Sequence, residues 1–288
     1  MHGIPSMADK SRVASRRAVR LNIFMVKTQK ELAFIRELHI SDEWTKRFTD
    51  LIDKHVGFSD EENLLYMNAG TGNHCFALRE RIGEDTAIFA TCEDEDILSI
   101  ARDKAIAVKA DVDFSMTRFE DESFDTVLAD ASFVRPDAVT ELIDESIRVA
   151  KADGKVALVM VSAGSFGEIF SLLWEVLFNE DLGEHGAAAE QMISELPTVS
   201  KVKEIAERSG LVNVKTHTAN EAFEYENGAE FINSPLVSDF LLPAWLKTLN
   251  EKEKEQVTEK LAQLIDSEDG TMSFRFSVKA TLVTGEKA

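Results

Sequence analysis

The segment 64–72, LLYMNAGTG, restricts what this chain can fold into more than any other. A short apolar run ends in Asn-Ala-Gly-Thr-Gly, and a helical pattern over 73–82 follows. That order reads as a buried strand, a tight loop and a helix. Gly70 and Gly72 let the backbone take left-handed angles and approach a ligand closely. In an open α/β sheet such a loop lies at the carboxyl end of a strand, where ligands bind.

The neighbouring sequence repeats the theme. Apolar runs at 63–67, 87–92, 124–129 and 155–161 are short and nearly continuous, as strands buried on both faces of a parallel sheet are. Helical patterns at 95–108 and 136–150 separate them. The alternation predicts a doubly wound, mainly parallel α/β sheet with right-handed crossovers. Further helices are expected at 166–178 and 199–209, with Gly210 ending the second. A loop is expected at 183–189, and strands at 212–217 and 273–284. Ahead of the sheet, 12–39 reads as a helix, and a second helix starts at Ser41 as N-cap. The chain divides into a basic arm and helices (1–59), an α/β core (60–219), a helical lid or interface insertion (220–272) and a final strand (273–288).

Charge excludes some functions. The net charge of −20 repels nucleic-acid phosphates. The basic residues near the N-terminus, Lys10, Arg12, Arg16, Arg17, Arg20, Lys27 and Lys30, suggest an arm that meets an acidic surface or serves as a solvated helix face. Cys75 and Cys92 are too few for a disulfide framework and lack zinc-site spacing, so no metal is expected. No apolar run approaches the roughly 18–20 residues of a membrane span. A cytoplasmic protein is the expectation.

Five segments, in order, resemble the class I S-adenosylmethionine (SAM) methyltransferases. LLYMNAGTGNHCFALRERIG is similar to the first strand, glycine loop and helix. IFATCEDEDILSIARDKA is similar to the second strand and its helix. VDFSMTRFEDESFDTVLADASF is similar to the adenine segment and fourth strand, RVAKADGKVALVMV to the fifth strand, and ERSGLVNVKTHT to the late helix-to-strand passage. The resemblance implies a Rossmann-like sheet of seven strands and SAM as cofactor. It places Tyr66 where the family has an acid and Asn68 where it has the first glycine. Gly70 and Gly72 would line the methionine side. Cys92 stands at the ribose-binding acid, with Glu93 one position on. Asp113 would meet the adenine amino group, and the backbone of Phe114 would hold the ring. Asp130, just past the fourth strand, would lie near methionine and substrate and is the candidate catalytic residue.

Other residues have two readings. His74, His185 and His217 are candidate general bases or ordinary surface histidines. Phe166, Phe170, Trp174 and Phe178 recur at helical spacing and either line an apolar substrate pocket or pack the core. The aromatics of 220–268 form a lid over a substrate or an interface with another protein or another copy. Two functions stay open: SAM-dependent methylation of a small, partly apolar molecule, and a methyltransferase-like scaffold that has lost the cofactor through Tyr66, Asn68 and Cys92 and serves as a binding or assembly subunit.

Overall fold

The computed structural model describes residues 27–59, 61–267 and 273–288. Residues 12–26 of the helix expected over 12–39, and most of the basic arm, lie outside them. Strand β1 (Asn63–Met67) lies at the centre of the parallel half of the sheet, between β2 (Ala87–Thr91) and β4 (Phe124–Ala131), and is parallel to both. Leu64, Leu65 and Tyr66 are all buried, as a strand covered on both faces requires. The full order is β3-β2-β1-β4-β5-β7-β6, with β3 (Asp113–Ser115), β5 (Ala150–Ser162), β6 (Leu211–Tyr225) and β7 (Phe274–Lys287). β7 runs antiparallel to both β5 and β6. The doubly wound, mainly parallel seven-stranded arrangement is the one expected. Its switch point lies between β1 and β4, where the order reverses.

Period-two alternation splits the sheet into two cores. Leu64, Tyr66, Ala90 and Leu128 face the N-terminal helices and the late helical segment. Leu65, Val127, Ala129 and Leu158 face α5 (Val139–Val149) and α8 (Val199–Arg208).

The N-terminal helices differ from expectation. α1 (Gln29–Ile35) starts at Thr28, which forms a capping box with Glu31. The chain then passes through wide π-type turns over Arg36–Thr45 and into α2 (Lys46–His55) without a break. Ser41 is therefore no N-cap; its hydroxyl donates to the Arg36 carbonyl inside the helix. Wide turns of this kind often accompany functional sites, and this one carries Arg36 and Trp44 inward.

α3 (Asn73–Arg81) and α4 (Glu95–Val108) follow β1 and β2 as expected. Two later segments depart. The loop expected at 183–189 is largely helical, because α7 (Gly186–Ser194) packs on α6 (Gly167–Asn179). Gly186 serves that packing: a Cβ there would come within 2.4 Å of the Trp174 ring. The helical segment expected from residue 220, as lid or interface, also begins later. β6 continues to Tyr225, paired with β7 down to Phe274. The stack of Phe223 on Phe276, centroids 4.9 Å apart, is one cross-strand contact holding that extension. Only then come α9 (Gly228–Asn233), π-type turns over Leu236–Leu241, α10 (Leu242–Trp245) and α11 (Glu251–Ser267). Among the described residues no helix is long and apolar enough to cross a membrane.

Candidate cofactor cleft

The loop after β1 has three left-handed residues, Asn68 (φ 55°), Gly70 (φ 57°) and Gly72 (φ 85°). Asn tolerates this region better than most side chains. Here it also contributes hydrogen bonds. Its Nδ2 donates to the Asp130 carbonyl at 3.2 Å, and its N–H to Thr91 Oγ1 at 3.2 Å. Asn68 thus ties the loop to the carboxyl ends of both β2 and β4. Gly72 has a steric reason: a Cβ would lie 2.6 Å from Cζ of Phe114.

The space above Gly70 is occupied by a side chain that sequence reasoning missed. Arg36 is only 8% exposed. Its guanidinium atoms lie 3.5–3.8 Å from where a Gly70 Cβ would stand. It forms an ion pair with Glu93, and its Cζ lies 5.3 Å from the centre of the Phe133 ring. Cys92 is buried, and its thiol donates to the Gly70 carbonyl at 3.4 Å. Burial and the neighbouring Glu93 push that thiol up to about 12, so it stays protonated. The carboxylate that meets Arg36 at the end of β2 is thus that of Glu93, one residue past the expected position.

Tyr66 is 1% exposed and fills the acid position with a neutral phenol. Burial first, and nearby carboxylates second, hold its pKa well above the ordinary value. Its hydroxyl meets His74 Nδ1 at 3.1 Å, and His74 Nε2 meets Asp53 at 3.1 Å. Asp53 also pairs with Arg81, and its carboxyl is lowered chiefly by the His74 hydrogen bond. Both ring nitrogens of His74 are therefore engaged. His185 Nδ1 pairs with Thr248, and His217 stacks on His55 with ring centres 3.7 Å apart.

Asp130 is buried at the end of β4 and accepts from the Ser132 N–H at 2.7 Å. Burial raises its pKa, against the Ser132 hydrogen bond and the charge of Arg36. Asp113 needs correction. It opens β3, is exposed and sits opposite Phe89, at the amino end of the strand. The carboxyl end, on the ligand side, carries Ser115 and then Met116. The spacing back from Phe124 misplaced the register. Phe114 is buried, with its ring against Gly72 and its carbonyl accepting two hydrogen bonds from Arg102. The structure thus gathers Gly70, Arg36, Glu93, Asp130 and Phe133, with Asn68 and Cys92 behind them, and leaves Asp113 outside.

A second cleft of about 900 Å³ opens beside α5, lined by Met67, Asn68, Val134 and Leu142. It meets the Arg36 group at Asn68, and its arginines 118 and 148 are both paired with Glu145.

A sheet of this order with a glycine loop at its switch point defines the Rossmann-like methyltransferase fold. Residues 65–158 match a family model for a methyltransferase domain. No curated protein matches the sequence. Among solved structures, the YcgJ protein of Bacillus subtilis is similar, with a TM-score of 0.54 and 16% identity over 84% of this chain and 98% of that one. So is Haemonchus contortus phosphoethanolamine N-methyltransferase 2, solved with S-adenosylhomocysteine and phosphomonomethylethanolamine. Its TM-score is 0.53 and its identity 14%, over 91% of this chain and 59% of that one. The chain therefore has the fold of the SAM-dependent methyltransferases, and its residues 65–158 are similar to a methyltransferase domain.

Proposed function

We propose that the protein is a SAM-dependent methyltransferase acting on a small, partly apolar molecule, and that Arg36 and Glu93 hold the two polar ends of the cofactor. The observation that carries this reading is their ion pair above Gly70. A guanidinium can take a carboxylate through two parallel hydrogen bonds. A carboxylate can accept from two hydroxyl groups at once. An amino acid joined to a nucleoside offers both partners, so each side chain can exchange its present partner for one on the ligand. Gly70 leaves room between them. Glu93 thereby makes good the loss of an acid at Cys92, while Tyr66 stays behind the loop, tied to His74.

The cofactor supplies a methyl group on a positively charged sulfur. The protein's task is mainly alignment of donor and acceptor. Asp130, whose raised pKa makes it a better proton acceptor, is the residue we assign to taking a proton from the acceptor atom. The lid segment of α9 to α11 would exclude water from the acceptor. We place the enzyme in the cytoplasm, acting on a diffusible substrate.

One observation favours a second reading. Arg36 and Glu93 already satisfy each other, and Tyr66 has replaced the acid. In a scaffold without cofactor the same pair would simply seal the cleft. Thermal unfolding with and without millimolar SAM separates the two. The enzyme reading expects a clear upward shift, because ligand at 100 times its Kd stabilises by ~2.7 kcal/mol. No shift with SAM or with its demethylated product would favour the scaffold.

A further inference from the structure

The two edges of the sheet are unlike. β3 closes one edge with 3 residues, and β6 closes the other with 15. A long edge strand carries outward N–H and C=O groups that have no ladder partner, and so offers a template for another strand. Both ends of the β6 edge are closed locally. A register irregularity lies between Val212 and Lys215, around the left-handed Asn213 (φ 54°). At the other end the Ala222 carbonyl accepts from Arg47 at 2.9 Å, and the Tyr225 hydroxyl meets Glu43 at 3.2 Å. Between them lies Lys215–Glu221, whose register with β7 is unbroken. Outside the β7 ladder, none of its backbone groups bonds to the backbone of another described residue.

This free stretch, KTHTANE, is complementary to itself. An antiparallel copy centred on Thr218 sets Lys215 opposite Glu221, Thr216 opposite Asn220, His217 opposite Ala219 and Thr218 opposite itself. Opposite charges and paired threonines are favourable across strands, and two-fold symmetry makes the Lys–Glu pair twice. The one large ring, His217, meets the small Ala219. Lys215, His217, Ala219 and Glu221 share the α2 face, where His217 stacks on His55 and Glu221 pairs with Arg47 at 3.2 Å. Lys215 is exposed and has no ion pair or hydrogen bond among the described residues. A lysine on an edge strand ordinarily repels a second strand. Here a second copy brings Glu221 to it, which removes that repulsion. The net charge of −20 opposes association at long range. At physiological salt that repulsion is screened beyond about 8 Å, whereas directly opposed side chains lie closer. The helices leave the edge open. α8 packs with Leu211 and Val214 on the other face, so the two-fold axis sends the two copies of α8 to opposite ends of the pairing.

We infer that Lys215–Glu221 is a docking edge whose partner is a second copy of this chain. Two β6 strands lie antiparallel across a two-fold axis at Thr218, and the two sheets become one. The side chains that decide the register are Lys215 and Glu221. The inference is independent of the methyltransferase reading, since β4, β5 and β7 separate this edge from β1 and its glycine loop.

The test is sedimentation equilibrium of the full chain at physiological salt. The expected result is a monomer–dimer equilibrium with a Kd in the micromolar range. Lys215→Glu sets glutamates against each other across the axis, and Glu221→Lys sets lysines against each other. Each variant alone should dimerise at least about tenfold more weakly than the native chain. An equal mixture of the two should recover the dimer, because both cross-strand pairs are then glutamate with lysine. If Glu221→Lys folds poorly beside Arg47, oxidative cross-linking gives the second measurement. The thiol of Thr218→Cys lies on the axis and meets its own copy, with Cβ atoms about 5 Å apart. It should form a linked dimer much faster than Thr216→Cys, whose two copies lie apart along the strands. Cys75 and Cys92 are buried and do not compete. A native chain that stays monomeric through the micromolar range would overturn the proposal. So would full dimerisation of Lys215→Glu alone, a mixture no more dimeric than its components, or equal cross-linking of the two cysteine variants.

Discussion

The cleft above Gly70 and the cavity beneath Trp245 grow from the same core but are built by opposite rules. The cleft is made of groups that can trade partners: Arg36 for Glu93, Asp130 for Ser132, Cys92 for a loop carbonyl. The cavity of about 420 Å³ is lined by Phe166, Phe170, Met192, Leu196 and Trp245, beside two charges of each sign from Arg135, Lys247, Asp137 and Glu195. A charged pair such as Arg36 with Glu93 resists desolvation unless each member stays bonded, so a ligand can enter only by replacing both partners. Ring walls place no such demand and select by shape. On the proposed function, the contrast explains how altered motif residues can coexist with a cofactor cleft. What matters there is which charges remain facing the space above Gly70, and those charges come from Arg36 and Glu93.

Substitutions can break this contrast, and the largest effect is expected at Gly72. Gly72→Ala adds a Cβ 2.6 Å from Phe114 at a left-handed φ of 85°. Overpacking and backbone strain together should cost about 3 kcal/mol, read as a lower denaturant midpoint with unchanged slope. Tyr66→Phe comes next. It leaves His74 Nδ1 without its partner behind the cleft and should cost about 1–2 kcal/mol in the same measurement. On the apolar side the sign changes. Trp44→Phe removes a buried donor that has no acceptor along with some ring volume, so its stability should move by less than ~1 kcal/mol.

The smallest effect tests Asp130 through pH. Its folded pKa is raised, so ionising it costs more in the folded chain than in the unfolded one. Its contribution is fully present below the unfolded value and is lost as pH rises through the folded value. Asp130→Asn keeps an oxygen for the Ser132 N–H and removes this loss. The variant should match the native chain below about pH 4 and exceed it slightly near neutrality. A native chain whose stability rises faster than that of the variant between those limits would contradict the burial of a carboxyl group there.

These residues also show where sequence suffices. β1, β2, β4 and residues 155–161 of β5 were legible because each is a short, nearly continuous apolar run; the start of β5 at Ala150, in AKADGK, was not. Nor was the extension of β6 to Tyr225. TANEAFEY is half polar, and it is held as strand by pairing with β7 some 50 residues away. α7 was hidden because Gly183 and Gly186 signal a loop locally, while the pressure for a glycine at 186 comes from the Trp174 ring. In the candidate site, Gly70, Gly72 and the shift from Cys92 to Glu93 could be read from the loop and strand end. Asp113 could not, since spacing alone does not fix where a three-residue strand starts. Arg36 left no local trace. It stands 34 residues before the loop that it covers, and only the packing of the π-type turns brings it there.

The role of Arg36 is therefore the claim to test most directly. Calorimetric titration with SAM should be run on the native chain and on Arg36→Ala. If Arg36 holds the carboxylate of the cofactor, the native chain binds and the variant binds more weakly by about 1.5–3 kcal/mol, roughly 10- to 100-fold. If Arg36 only seals the cleft, its removal frees Glu93 and the space above Gly70, and the variant binds SAM more tightly than the native chain. That second result would contradict the account.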